Sequence, residues 1–167
     1  MMRAALTQAL HHCGHRAAFG RRLIEQPLMA NVLADLALEW EAATLLAFRL
    51  AQAFDQAQAS EREQRFARLV TPVAKYWLCK RNPLLALEAM ECLGGNGYVE
   101  EGVVGRLFRE APVNGIWEGS GNVICLDVLR AMAKGPEVTE AFFAEVERGG
   151  GADPRLDQFV IALRNDL

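Results

Sequence analysis

Apolar residues recur along this chain at intervals of three and four, and no stretch alternates apolar with polar at period two, so the pattern predicts helices and no sheet. From Pro27 to about Phe54, Leu28, Val32, Leu36, Trp40 and Ala43, joined by Leu33, Ala37 and Ala47, form one broad stripe, the mark of a long bundle helix. A second helix begins after Ser60, which with Glu63 three residues on spells a capping box, and carries Phe66, Leu69, Val70, Val73, Trp77 and Leu78 on its apolar face. Pro72 is expected to kink or interrupt it. A third helix is expected from near Pro83 to just before Gly94-Gly95, and a fourth after the Gly119–Gly121 turn, facing its partners with Val123, Leu126, Leu129 and Met132. The fold expected is all-α, a four-helix up-down bundle over residues 1–135. Short peripheral helices follow over 136–167: Val138 to Val146, then Asp153 to Leu163 after the Gly149-Gly150-Gly151 loop, with Asp153 as cap and Pro154 in the first turn.

The composition adds limits to this picture. With 167 residues and 51% hydrophobic content, one core can form without staples, since a domain of this size buries about 70% of the surface its unfolded chain exposes. No run of about 18 apolar residues is present, so a membrane span is not expected. The start lacks an apolar core and a small-residue cleavage site, and Cys13, Cys79, Cys92 and Cys125 form no CxxC pair, which together point to a reduced, cytoplasmic protein with core thiols. His11, His12 and His15 fall short of the four ligands of a zinc site, so no metal is expected. A net charge of −3 argues against broad phosphate-backbone binding as the main task.

Chemistry is therefore sought in three loops. Arg16-Ala17-Ala18-Phe19-Gly20-Arg21-Arg22 places three arginines around one aromatic, either to bind a pyrophosphate beside an apolar ring or merely as a solvated basic turn. Glu91-Cys92-Leu93-Gly94-Gly95-Asn96-Gly97-Tyr98 removes three Cβ atoms within four positions, more than a helix C-cap needs, and lets backbone approach a ligand. It lacks the Gly-Lys-Ser/Thr of a Walker loop and the preceding strand of a dinucleotide fingerprint. In Ile116-Trp117-Glu118-Gly119-Ser120-Gly121-Asn122 a carboxylate stands beside an indole. It can serve as a general base with its charged form disfavoured, or simply complement the next helix's positive end with Ser120 as cap.

In their order along the chain these loops resemble the C-terminal all-α domain of the acyl-CoA dehydrogenase family. The resemblance runs over roughly residues 3 to 133. It rests on the Arg-x-x-Phe-Gly turn at 16–20, Leu33-Ala34-Asp35-Leu36, Leu93-Gly94-Gly95-Asn96-Gly97-Tyr98, Arg106 and Arg109, and Glu118-Gly119. Within the family, Gln26-Pro27-Leu28-Met29, Pro112-Val113-Asn114 and Trp117 to Asn122 followed by Cys125 to Arg130 resemble the AidB-like branch of adaptive-response flavoproteins.

The resemblance implies FAD as cofactor and an acyl-CoA thioester as substrate, hence an oxidoreductase acting on CH–CH donors. Arg16 matches the arginine on the FAD pyrophosphate, and Phe19 the aromatic near its adenosine. Gly94 and Gly95 match the loop that passes close to FAD of a neighbouring subunit, and Ser120 and Asn122 match positions that hold the nucleotide portion. Glu118 matches the base that removes the α-proton while the β-hydrogen leaves as hydride, with Trp117 and Gly119 lining the substrate pocket. A homodimer or homotetramer is implied, with DNA as partner in the AidB-like alternative and a non-catalytic dimerising bundle as a third possibility. Arg106 and Arg109 are expected to pair with Glu100, Glu101 or Glu110 and hold the loop before Glu118.

The chain departs from the family pattern with Glu91 where glutamine is frequent, and with Pro27 at the usual place of the glutamine after the Phe-Gly turn, Gln26 standing one position early. The N-terminal helical and central β-domains of whole family members have no counterpart in these 167 residues, and AidB-like members continue with further helices, so the chain alone is expected to be inactive or nearly so.

Overall fold

Two helices of 30 and 32 residues, α2 (Pro27–Gln56) and α3 (Glu61–Cys92), dominate the computed structural model, which describes residues 1–167. The remaining helices are α1 (Met2–His15), α4 (Gly95–Tyr98), α5 (Val103–Glu110), α6 (Gly121–Met132), α7 (Pro136–Val146) and α8 (Pro154–Asp166), so the fold is all-α as the periodicity predicts. No helix is long and apolar enough to cross a membrane. The contacts divide the chain into two units, Met1–Ala47 with Lys75–Asn122 and Phe48–Ala74 with Val123–Leu167.

In the first unit, α1 buries Met2, Ala5, Leu6, Ala9 and Cys13 against Leu33, Leu36 and Ala43 of α2 and Leu85, Ala89 and Cys92 of α3. Ala5, Ala9 and Ala89 supply its small residues, and Trp40 and Trp77 pack half-buried beside this core. Leu28, expected inside, is 81% exposed in the first turn of α2, which turns Met29 and not Leu28 toward this core. The Arg16–Arg22 turn contradicts the expectation of no sheet. Ala17–Ala18 (β1) and Arg21–Arg22 (β2) pair antiparallel across a two-residue turn, Phe19-Gly20, in which both φ angles are positive. Such a turn matches the twist of a hairpin, and strands of two residues are too short to show a period.

A second correction concerns α3. The two helices expected around Pro72 and Pro83 are one, and both prolines lie within it. An interior proline costs about 3 kcal/mol, but Phe66, Ala67, Leu69 and Val70 before and Leu85, Ala86 and Ala89 after are buried, and their packing holds the helix through. The Cys79 carbonyl, deprived by Pro83 of its usual donor, faces Gly115, where a Cβ would lie 3.7 Å away.

In the second unit, the start of α3 forms only half of the expected capping box. Ser60 Oγ accepts the Glu63 N–H at 3.4 Å, but the Ser60 N–H already donates to the Gln56 carbonyl, leaving the Glu63 carboxylate for Arg49. Arg49 donates to Glu63 and Glu145 together and lies over the Phe66 ring at 4.1 Å. Its guanidinium is held firmly protonated by Glu145 and Glu63, and it holds the Glu145 carboxyl below the usual carboxylate range. α6 turns a different face inward than expected. Val123, Leu126 and Leu129 are exposed, while Ile124 and Ala131 are buried and Asp127 pairs bidentately with Arg68 at 2.9 Å. Ala131 joins Leu69 of α3 and Val138 of α7 in a small core. Asp153 caps α8 through the Arg155 N–H at 2.8 Å, as expected.

Candidate functional site

All three loops lie in the first unit. α1 ends at Arg16, whose N–H bonds the His12 carbonyl, and the hairpin that follows carries Phe19 at its tip, 95% exposed with φ 55°. Of the three arginines, Arg22 is engaged with Glu25. Arg16 instead lines a cleft of about 570 Å³ with His12, Leu23, Met29 and Glu91, closed on one side by Gly94, Gly95 and Asn96. The structure therefore brings Arg16 together with Gly94 and Gly95, residues 78 and 79 positions apart. His12 in this cleft is shifted down by burial first, then by Arg16 and His11, so its neutral form is favoured.

The three glycines of the Leu93–Tyr98 loop serve three purposes. Gly94 adopts φ 58°, which ends α3 and starts α4. At Gly95 a Cβ would meet nothing within 4 Å, so the backbone lies open to the cleft. A Cβ on Gly97 would stand 2.2 Å from the Met90 carbonyl oxygen, so this glycine is required by packing inside the protein and not by a ligand. An open backbone opposite an exposed arginine fits a diphosphate, whose oxygens take bidentate guanidinium donors.

Glu118 lies apart from that cleft, in the segment between the 3₁₀ turn Ala111–Gly115 and α6. It is exposed and has φ 54°, so with Phe19 it is one of two non-glycine residues at positive φ in the chain. Such backbone costs of order 1–3 kcal/mol and persists where surrounding structure holds it. Here the holder is Lys75 of α3, which sequence reasoning missed. Its Nζ donates to the Trp117 carbonyl at 2.5 Å and to the Gly119 carbonyl at 2.7 Å, one on either side of Glu118. Nothing in the one-dimensional pattern marks a lysine 42 residues upstream of Trp117 as its partner. Gly121 presses on the same helix, where a Cβ would lie 3.1 Å from Lys80 Cε and 3.3 Å from the Tyr76 ring. Cys79, half-buried between these residues, has its thiol pushed up by burial against the opposing pull of the Lys75 ammonium.

Trp117 is 59% exposed, and Ser120 and Asn122 are exposed, the latter in the first turn of α6. Neither the indole nor any other group of this chain encloses the Glu118 carboxylate, so the apolar wall expected beside it is incomplete within these residues. Arg109 pairs bidentately with Glu100 at 2.8 and 2.9 Å, one of the partners expected. The cysteines divide. Cys13 and Cys92 are buried, with Cys92 pushed up to about 12 chiefly by burial, whereas Cys125 is exposed and is not the core thiol expected. A second groove of about 370 Å³ between α2 and α3 carries Asp35, Glu39, Arg81 and Glu88 and none of the residues of the three loops.

Residues 1–133 match the family described as Acyl-CoA dehydrogenase, C-terminal domain. The whole chain aligns at 48% identity with the putative acyl-CoA dehydrogenase AidB of Escherichia coli strain K12, of which it covers 31%. Among solved structures it is similar to Caenorhabditis elegans ACDH-11 in complex with C11-CoA, with a TM-score of 0.85 and 33% identity over 94% of this chain and 27% of that one. The butyryl-CoA dehydrogenase of Megasphaera elsdenii superposes with a TM-score of 0.63 at 26% identity, over 79% of this chain and 33% of its own. The chain thus spans about a third of the length of the relatives it matches.

Proposed function

Because the chain belongs to the acyl-CoA dehydrogenase family, through its C-terminal domain, we propose that it is the FAD-contacting, oligomerising part of a flavoprotein that desaturates acyl-CoA thioesters. The convergence of Arg16 with Gly94 and Gly95 on one cleft carries this reading. There the guanidinium binds the pyrophosphate of FAD, and the open Gly94-Gly95 backbone lets the cofactor approach closely. Phe19, free at the hairpin tip, covers the adenosine side, and Ser120 and Asn122 contribute to the nucleotide portion. When bound, FAD accepts the β-hydrogen as hydride.

Glu118 removes the α-proton of the thioester, with Trp117 and Gly119 beside the acyl chain. A carboxylate does this best in a dry, apolar enclosure. Since Glu118 is exposed here, the remainder of that enclosure comes from outside these residues, either from further domains or from a second subunit. The structure of the C. elegans relative with C11-CoA supports an acyl-CoA as the substrate class. Binding to DNA phosphates is the weaker reading, because Arg22 and Arg109 are engaged with Glu25 and Glu100 and the net charge is −3.

Two measurements test the proposal. FAD titrated into the 167-residue chain is expected to bind, and Arg16→Ala to weaken it by about 10-fold or more, the worth of a charge-assisted hydrogen bond. Equal affinity in the two would remove Arg16 from the site. In the complete flavoprotein, Glu118→Gln is expected to lower acyl-CoA-dependent reduction of an electron acceptor by about 100-fold or more, and wild-type turnover would end the assignment of the base.

A further inference from the structure

We propose that Lys75 is a positioning residue for Glu118: by holding the carbonyls on both sides of it, the lysine fixes the direction in which the carboxylate leaves the backbone. This rests on the reading of Glu118 as the base. Between the Trp117 and Gly119 carbonyls lie four backbone dihedrals, φ and ψ of residues 118 and 119. Glu118 φ is 54° and Gly119 φ is 105°, both in the region that L residues rarely adopt. Left free, residue 118 would relax toward negative φ and swing its Cα–Cβ bond away. One ammonium donating to both oxygens, at 2.5 and 2.7 Å, ties the two outer peptide planes to a single point and closes that route.

The anchor is itself fixed. Lys75 follows the buried Pro72 and Ala74 on α3 and is half-buried, and its two protein acceptors are both loop carbonyls. A cation on neutral carbonyls makes a stronger bond than a neutral donor would, and a lysine can aim two of its protons at oxygens two residues apart. Further along the same helix, Cys79, Tyr76 and Lys80 receive Gly115 and Gly121, the two ends of the segment, at positions without a Cβ. The left-handed turn is thereby seated on one rigid helix at both ends and clamped at its centre. A base must lie within hydrogen-bond reach of the proton it takes, so an error in this direction costs rate and not affinity.

The test compares Lys75→Met, which keeps length and apolar stem but has no donor, with Lys75→Arg, which restores donors. In the 167-residue chain, hydrogen exchange of the Ile116 and Trp117 amides, which donate to the Val113 carbonyl, is expected to rise by about 10-fold or more in Lys75→Met while the amides of α1 and α2 stay unchanged. Arginine should return most of the protection. In the complete, FAD-supplied flavoprotein, Lys75→Met is expected to lower kcat by about 10-fold at unchanged KM for the acyl-CoA, with partial recovery in Lys75→Arg. Unchanged exchange at Ile116 and Trp117 would overturn the clamp. Faster exchange with unaltered kcat, in a protein that Glu118→Gln inactivates, would overturn the positioning role. Turnover that survives Glu118→Gln would remove the base itself, and the positioning role with it, while the exchange data would still decide the clamp.

Discussion

Gly95 and Gly97 stand two positions apart in one loop and make opposite demands on a side chain. Gly97→Ala would drive a Cβ to 2.2 Å from the Met90 carbonyl oxygen, and a loss of about 2 kcal/mol in thermal or denaturant unfolding is expected. Gly95→Ala meets nothing within 4 Å and should change stability by less than about 0.5 kcal/mol. Its effect should appear in FAD affinity instead, and a variant that binds FAD as well as wild type would show that the backbone approach at residue 95 is not used. The glycine run was visible along the chain as a single signal. Its division into turn, open face and packing contact was not, because the Met90 carbonyl belongs to the preceding helix and no spacing rule reports how closely it passes.

Among the helices, α2, α3 and α7 are joined in the second unit by Arg49, Glu63 and Glu145, whose side chains are 18%, 12% and 19% exposed. Removing one member leaves the others short of a partner, so Arg49→Met is expected to cost about 2–3 kcal/mol, read from denaturant unfolding. The same network gives a pH dependence. Arg49 hydrogen bonding, against the opposing effect of burial, holds the folded Glu145 carboxyl below the ordinary value of about 4.3. A carboxyl lowered on folding contributes stability that is fully present above its unfolded pKa and is lost as pH falls through the folded one. The melting temperature should therefore hold from pH 7 to pH 5 and decline below about pH 4.3, more weakly in Arg49→Met. An equally steep acid decline in that variant would assign the effect to other carboxylates.

Helix existence was largely readable at this level, from the stripes of α2 and α3 to the Asp153-Pro154 start of α8. α1 and the single turn of α4 were given no range, and α5 was missed, since eight residues following Gly102 offer only two turns of periodicity. The inward face of α6 was misread for a related reason. Apolar residues at 123, 124, 126, 128, 129, 131 and 132 describe two overlapping stripes, and the Arg68–Asp127 pair selects the one that carries Ile124, Val128 and Ala131.

For the protein as a unit of assembly, the rejected stripe becomes informative. Val123, Leu126 and Leu129 are 50%, 52% and 61% exposed on successive turns of α6, an apolar row of the kind that marks a protein–protein contact. Sedimentation is expected to find an oligomer that the double variant Leu126→Glu, Leu129→Glu converts to monomer with helical content retained. A wild-type monomer at about 100 μM would argue against assembly through this helix, since specific interfaces commonly hold well below that concentration. The family relation bears on the same scale, because 167 residues cover about a third of each relative and the enclosure of Glu118 is open within them.

Helical class, cysteines without a disulfide pattern, and the order of three chemically distinctive loops were all fixed along the chain. They depend on contacts three and four residues apart, or on residue types that few others can replace. The continuity of α3 through two prolines, the face α6 buries, the partner of Glu63 and the lysine that holds Glu118 were settled by residues brought together from far apart, 42 positions between Lys75 and Trp117 and 96 between Arg49 and Glu145. Each is a choice between locally equivalent options. Only the packing of distant segments supplies the energy that separates them.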